Sequence, residues 1–269
     1  MNRISLASGI VPECGPVATI RAAAAGGFDA TGLWIEPPLW TPQTLRDCRA
    51  ALADTGLELL DVEVVWLKPG PLDSDHLRCI DIGAELGAKH VLVVSSDRDM
   101  DATATKLAQL CRHAEPSGLR VSLEFGLFTE VKTIGRALSV ITAASHPLAA
   151  LLVDPLHLAR SGGTPADVAA VPPQLLPYAQ FCDAVAIGPA ADDPEGIIRE
   201  AIDERLQVGD GALPLAALLA ALPRGIPLSI ELRSKSLRGG WPDPGERAAV
   251  TARMTRAWLA GLAEPLHGS

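Results

Sequence analysis

The sequence predicts a single (β/α)8 barrel, the TIM-barrel fold, as one domain spanning residues 1–269. Three observations predict it. Short, nearly continuous apolar runs alternate with helix-length amphipathic segments along the chain, which is typical of parallel strands buried on both faces. Each strand–helix unit takes roughly 30 residues, the size of a βαβ repeat. No linker, charge block or low-complexity stretch indicates a second domain.

The predicted strands are the apolar runs, in chain order: 4–7, 30–33, 59–65, 90–94, 121–124, 150–153, 179–182 and 228–232. The segments between them carry apolar residues three and four positions apart, which predicts amphipathic helices. Thr41-Pro42 and Thr164-Pro165 predict helix starts, and Gly56 predicts a helix end before the third strand. An open doubly wound sheet remains an alternative, but no G-x-G-x-x-G follows the first strand, which favours the barrel.

Composition limits the classes of partner. The formal net charge is -9 with no run of Lys or Arg, so we expect no nucleic-acid partner. No uninterrupted apolar run reaches the roughly 18 residues of a membrane span, so we expect no membrane partner. The five cysteines are widely spaced without a C-x-x-C pair, which indicates reduced thiols. With no signal-peptide pattern at the start, we expect a cytoplasmic protein.

Polar side chains follow four consecutive predicted strands where each strand ends. These residues are Glu124 on the fifth strand, Asp154 after the sixth, Gln180 on the seventh and Glu231 on the eighth. The carboxyl ends of barrel strands meet at one mouth, so the carboxylates would repel one another unless a cation neutralised them. Carboxylate and amide oxygens suit a hard or borderline divalent ion such as Mg²⁺ or Mn²⁺.

These residues carry a family resemblance. Glu124 after an apolar strand, Asp154-Pro155-Leu156-His157, and Glu231 on the last strand resemble the xylose-isomerase-like barrel superfamily of sugar phosphate isomerases and epimerases. Residues 180–184 and 200–215 are also similar to segments of that family, so the resemblance spans nearly the whole chain. The superfamily includes tagatose-epimerase-like enzymes, inosose and dehydroshikimate dehydratases, and an abasic-site nuclease.

The resemblance implies a divalent-metal cofactor held by Glu124, Asp154, Gln180 and Glu231. Many members carry His where this chain has Gln180, and an amide oxygen binds a transition metal more weakly than imidazole does. Mg²⁺ or Mn²⁺ is therefore favoured, with Co²⁺ or Zn²⁺ left open. Asp183 remains an alternative as an extra ligand or as a hydrogen-bond acceptor. A homodimer is also left open, because related barrels often pair through their helices.

The chemistry that this implies is proton transfer beside a carbonyl. The metal would chelate a carbonyl oxygen and a neighbouring hydroxyl and stabilise an enediolate. Glu124 and Glu231 are the predicted catalytic residues that remove and return the proton. We expect an isomerase or epimerase acting on a sugar, sugar phosphate or related polyhydroxy ketone, a small sugar-like molecule.

Four further residues are predicted to bind substrate. His157 and Arg205 would polarise substrate oxygens or bind an anionic end, and Trp34 and Trp66 would form walls against sugar faces. Each has a structural alternative: the tryptophans as packing residues, and His157 as a loop residue.

Arg205 has an alternative as the ion-pair partner of Glu200 or Glu204 on a helical turn. Asp61 and Glu63 lie on the third strand with the same facing, so either one could reach the mouth.

Three other functions compete with the isomerase. A lyase on the same scaffold would dehydrate an inositol-derived ketone or a ring hydroxy-ketone at a similar metal site. An abasic-site nuclease needs a trinuclear zinc cluster and a basic face, which the acidic charge and six histidines disfavour. A non-catalytic ligand-binding barrel stays open because of Gln180.

Overall fold

The structure is a computed structural model that describes residues 2–263, in which eight parallel strands form a nearly closed barrel. The predicted fold class is therefore confirmed. Residues 1 and 264–269 of the predicted domain lie outside the described residues. The strands are β1 Ile4–Leu6, β2 Ala30–Trp34, β3 Glu58–Leu67, β4 His90–Ser95, β5 Arg120–Glu124, β6 Ala149–Leu152, β7 Ala179–Phe181 and β8 Leu228–Ile230.

Each strand except β6 pairs with the next one along the chain, and β1 pairs with β8, in the order β6-β5-β4-β3-β2-β1-β8-β7. The remaining gap, between β6 and β7, is bridged by an isolated parallel pairing of Val153 with Ala179. At this bridge the backbone N–H of Gln180 donates to the backbone carbonyl of Val153 at 3.0 Å. This arrangement brings the carboxyl ends of all the strands to one mouth.

Helices follow the strands and cover the barrel. They are α1 Pro16–Ala25, α2 Pro42–Thr55, α3 Ser74–Leu86, α4 Met100–Ala114, α5 Ile134–Ala144, α6 Pro155–Arg160, α7 Pro165–Ala169, α8 Pro194–Asp203, α9 Leu215–Ala221, α10 Lys235–Gly240 and α11 Pro244–Ala263. The predicted caps are present: the side chains of Thr41 and Thr164 accept backbone N–H groups at the starts of α2 and α7. Gly56 ends α2 with φ 68°, a left-handed conformation that glycine adopts without steric cost.

The core lies mainly between the outer faces of the strands and the helices, and consists mainly of Ala, Leu, Val and Ile. A smaller cluster fills the inside of the barrel: Ala30, Leu60, Leu92, Val94, Leu152 and Tyr178. None of the helices in residues 2–263 combines the length and the apolar character that a bilayer crossing requires.

Candidate metal centre and active site

The four predicted metal ligands lie at the mouth of the barrel and are buried. Glu124 is the last residue of β5, Gln180 lies in β7, and Glu231 directly follows β8. These three line a cavity of about 330 Å³, a volume that suits a small-molecule substrate. Asp154 follows β6 and contacts Arg205 and Gln180 at the side of this cavity. The structure thus places Glu124, Gln180 and Glu231 around one cavity with Asp154 beside it. Glu231 is not part of the compact group of possible ligand atoms found among the described residues, and the roles of all four as ligands stay predictions.

Asp154 is held by the start of α6. Its Oδ1 accepts the backbone N–H groups of Leu156 at 2.7 Å and His157 at 3.2 Å, as the N-cap residue of a helix that begins at Pro155. Its Oδ2 pairs with the Arg205 guanidinium. Burial opposes ionisation of Asp154, but the charge of Arg205 and these hydrogen bonds outweigh it and lower its pKa. Asp154 is therefore a carboxylate at neutral pH.

The Gln180 amide lies between two carboxylates. With the amide assigned so that both carboxylates are satisfied, its nitrogen donates to Glu124 Oε1 at 2.5 Å and to Asp154 Oδ2 at 3.2 Å. Gln180 therefore bridges the two carboxylates, and a cation among the three side chains would require the amide to turn its oxygen inward.

His157, which the sequence predicts to contact substrate, lies close to the carboxylates of Glu124 and Asp154. One ligand atom each from Glu124, Asp154 and His157 lies within 4.8 Å of the others, a grouping compact enough for one metal ion. Burial lowers the pKa of His157 to about 4, so its imidazole is neutral, the form that binds metals. Its Nε2 lies 3.3 Å from Arg205 Nη2, which only donates, so Nε2 is the acceptor.

Arg205 is buried beneath the mouth rather than exposed on a helix. The hypothesis that it pairs with Glu200 or Glu204 is wrong, because both glutamates pair with other arginines. Arg205 instead pairs with Asp154, a residue 51 positions away in sequence. Its Nε also donates to the Ala201 carbonyl at 2.8 Å, so most of its donors face the protein. Its predicted contact with substrate stays a prediction, supported by its place in the cavity lining.

Glu231 has one occupied and one open oxygen. Its Oε1 accepts from Arg233 Nε at 2.6 Å, and its Oε2 is buried without a hydrogen-bond partner among residues 2–263. A buried oxygen without a partner is costly unless a cation or a ligand group meets it.

Glu63 on β3 also lines the cavity and accepts a hydrogen bond from Ser8. Burial and the nearby charge of Glu231 raise its pKa to about 7. The sequence showed only that Asp61 or Glu63 could reach the mouth. The residue that does so is Glu63, while Asp61 accepts from the Tyr178 hydroxyl inside the barrel.

The walls of the cavity are mainly apolar and aromatic. Trp34 and Trp66 both line it, at the predicted positions, and belong to β2 and β3 themselves. Phe128 packs edge-on against Trp66 with ring centroids 6.0 Å apart, and lies 4.7 Å from the His157 ring. Leu92 and Val94 of β4 add aliphatic surface. The cavity therefore combines an apolar, aromatic wall with the charged and polar side chains of the mouth.

Asp183 serves the backbone rather than the cavity. Its carboxylate accepts N–H groups from Ala184, Gly209, Gly211 and Leu213 at 2.8 to 3.2 Å. Of the two alternatives from the sequence, the structure thus gives Asp183 the role of hydrogen-bond acceptor.

The donor set fits a divalent cation. Burial and the nearby charge of Asp154 raise the pKa of Glu124 well above its usual range, with Glu231 and Glu63 adding to the effect. A cation beside Glu124, Asp154 and His157 would relieve this repulsion, and Glu231, whose Oε2 is unpartnered among residues 2–263, lines the same cavity as Glu124. Carboxylate and amide oxygens with one imidazole suit Mg²⁺, Mn²⁺ or a borderline ion.

The sequence matches a family model described as xylose isomerase-like TIM barrel, over residues 20–258. The chain belongs to this family. It is 29% identical over 248 residues to a 3-dehydroshikimate dehydratase of Pseudomonas aeruginosa, and 26% identical to one of Pseudomonas putida. Each alignment covers 86% of this chain and 37% of the relative, so the chain spans about a third of the length of these relatives.

Solved structures share the fold. A structure of the IOLI protein with a bound zinc atom superposes with a TM-score of 0.77 at 16% identity, covering 94% of this chain and 96% of that one. A D-allulose 3-epimerase from Methylomonas sp. gives a TM-score of 0.71 at 14% identity, covering 95% and 97%. The fold therefore occurs both in a zinc-binding protein and in an epimerase.

Proposed function

We propose that the chain is a divalent-metal-dependent dehydratase of a small cyclic hydroxy-ketone. The observation that carries the proposal is the pair Glu124 and Glu231, buried on non-adjacent strands at one end of a largely apolar cavity. The names of the two curated relatives support dehydration as the reaction. The sequence alone favours an isomerase first and a dehydratase second.

Glu124, Asp154, Gln180 and Glu231 would hold the ion, with His157 within reach. A bound divalent ion would polarise the carbonyl and the adjacent hydroxyl and so acidify the neighbouring C–H bond. The protein's own part is to supply one basic and one acidic group, to orient the ring and to exclude water.

The two glutamates would take different parts in the proton transfers. Arg233 pairs with Glu231 and orients it as the base that would accept a proton from the carbon beside the carbonyl. Glu124 would act as the acid that gives a proton to the departing β-hydroxyl. The C–H electron pair forms the new C=C bond as the C–O bond breaks, and water leaves. Proton exchange with solvent then restores both groups.

The shape of the cavity favours a ring over an open-chain polyol. A polyol needs a donor or an acceptor for every buried hydroxyl, because each unpaired one costs free energy. Trp66, Leu92, Val94 and Phe128 offer almost none of these on the wall. A ring with its ketone and hydroxyl on one side would place its polar atoms at the carboxylates and its carbon face on the aromatic side chains.

The test is incubation of the Mn²⁺-loaded protein with 3-dehydroshikimate, followed by ultraviolet absorbance of the conjugated product and by NMR in deuterated water. We expect product formation, and a fall in rate of about 10²- to 10⁴-fold in Glu124→Gln and in Glu231→Gln. Glu204→Gln is the matched control, because Glu204 is half exposed and pairs with Arg199 on the surface.

An epimerase or isomerase is the second candidate. It is favoured by the placement of Glu124 on β5 and Glu231 on β8, with β6 and β7 between them, so that the two groups can serve opposite faces of a substrate. Exchange of the α-hydrogen of a ketohexose such as D-allulose in deuterated water, without loss of water, would replace the dehydratase proposal by this one. No reaction with either substrate class, together with no Mn²⁺ uptake, would favour a non-catalytic barrel.

A further inference from the structure

Arg233 stands at the junction of two cavities and belongs to neither the predicted metal site nor the predicted catalytic pair. It lines the 330 Å³ cavity that holds the glutamates. It also lines a second cavity of about 500 Å³ formed by the loop after β1 and by residues around Trp34 and Trp40. A group that faces both spaces can contact a substituent of any ring that occupies the first.

Within residues 2–263, the guanidinium of Arg233 is hydrogen-bonded through Nε and not through its two terminal nitrogens. Its Nε donates to Glu231 Oε1 at 2.6 Å, and its Cζ lies 5.6 Å from the centre of the Trp34 ring. Among the residues that the structure describes, neither Nη1 nor Nη2 of Arg233 makes a hydrogen bond. Trp34 and Glu231 therefore fix the plane of the guanidinium while its outer pair of nitrogens is free to donate.

We infer that the Nη1–Nη2 edge of Arg233 binds a single carboxylate carried by the substrate ring. This deepens the proposed function, on which it rests, by giving the class of substrate: a cyclic hydroxy-ketone acid. The planar fork of arginine matches the two oxygens of a carboxylate in a bidentate pair. Arg205, the other arginine that lines this cavity, has both terminal nitrogens engaged, Nη1 with Asp154 and Nη2 with His157.

The surrounding charges favour a carboxylate over a phosphate. Glu63 and Glu231 line the same cavity as Arg233, and Glu36 lines the adjacent one. A monoanion is balanced by one guanidinium, whereas the second negative charge of a phosphate would face these glutamates without a further cation. Glycerol-type and sugar phosphates are therefore poor fits to this junction.

Gly9 makes the position of Arg233 possible. A Cβ atom at residue 9 would lie 2.6 Å from Arg233 Cγ and 2.6 Å from Arg233 Nε, which no real side chain tolerates. Gly9→Ala therefore displaces the arginine while leaving the charge of the protein unchanged. It gives a second variant that moves the guanidinium without removing it.

The test is calorimetric binding of two ligands to the Mn²⁺-loaded protein without turnover: 3,4-dihydroxybenzoate, and catechol, which lacks only the carboxylate. We expect Arg233→Gln to weaken binding of the acid about 10- to 100-fold and to change catechol binding by less than about twofold. Gly9→Ala should weaken the acid at least about fivefold with catechol again unchanged. Arg98→Gln, an exposed arginine paired with Glu130, is the matched control.

Equal weakening of both ligands would overturn the inference, since Arg233 would then act only through Glu231. Unchanged binding of the acid in both Arg233→Gln and Gly9→Ala would also overturn it. Tighter binding of the phosphonate analogue of the same ring than of the acid would overturn the assignment to a carboxylate. Because no reaction takes place, a failed dehydration assay with a selective loss of acid binding would reject the proposed reaction and leave this inference in place.

Discussion

The pairing of Arg205 with Asp154 gives a quantitative prediction for Arg205→Met. The side chains of Arg205 and Asp154 are 4% and 0% exposed, so the variant leaves a carboxylate inside the protein without its counter-charge. Removing one partner of a buried ion pair costs about 3–5 kcal/mol of unfolding free energy. For a chain of this size that lowers the melting temperature by roughly 10 °C.

The assay is urea unfolding followed by circular dichroism, on chelator-treated protein and again with Mn²⁺. We expect a smaller loss in Arg205→Met with Mn²⁺, because a cation at the site also neutralises Asp154. The double variant Asp154→Asn/Arg205→Met should recover part of the loss. Arg199→Met is the control: Arg199 and Glu204 are 58% and 52% exposed, and their loss should cost less than about 1 kcal/mol. A chelated Arg205→Met protein within about 1 kcal/mol of the unmodified protein would refute this reasoning.

Two further predictions concern single side chains. Gln180→His should raise the affinity for Zn²⁺ roughly tenfold or more relative to Mg²⁺, because imidazole is the better ligand for borderline ions; competition with a chelator measures it, and unchanged Zn²⁺ affinity would contradict it. His90 stacks on Tyr178, and burial, with Arg120 and Lys89 nearby, lowers its pKa to about 3, below the unfolded value near 6.5. As pH falls below 6.5 the unfolded chain gains a proton that the folded chain does not, so stability should drop by about 2 kcal/mol at pH 5. His90→Gln should remove this part of the difference between urea unfolding at pH 7.5 and pH 5.0, and equal pH dependence in both proteins would show that His90 is not its source.

The strands could be predicted because apolar runs report burial directly. All eight observed strands lie within two residues of their predicted limits at both ends; β8 ends two residues early, at Ile230. The third is longer than predicted, reaching Leu67, and its pairing with β2 and β4 shifts register along its length. Asp61 and Glu63 share one facing and differ only in their level along the strand, which the sequence does not set, so it could not separate them.

The sequence predicted a site residue only where the residue's place on a strand determines its place in the barrel. Glu124, Gln180 and Glu231 could be placed at the mouth because each lies at the carboxyl end of a strand. The pairing of Arg205 with Asp154 could not be predicted, because Asp154 lies 51 residues away and the contact depends on how α8 and α6 pack. Arg233 carried one signal, its spacing of two residues from Glu231, which places both on one face of an extended segment.

The closure between β6 and β7 has a consequence for how the protein holds its shape. This junction has the fewest backbone bonds of any in the sheet, a lone bridge at Val153 and Ala179. Asp154 and Gln180 stand directly on its two sides. An ion bound by both residues would link the two strands where the barrel has the fewest backbone hydrogen bonds. Metal binding would then also stabilise the closed barrel.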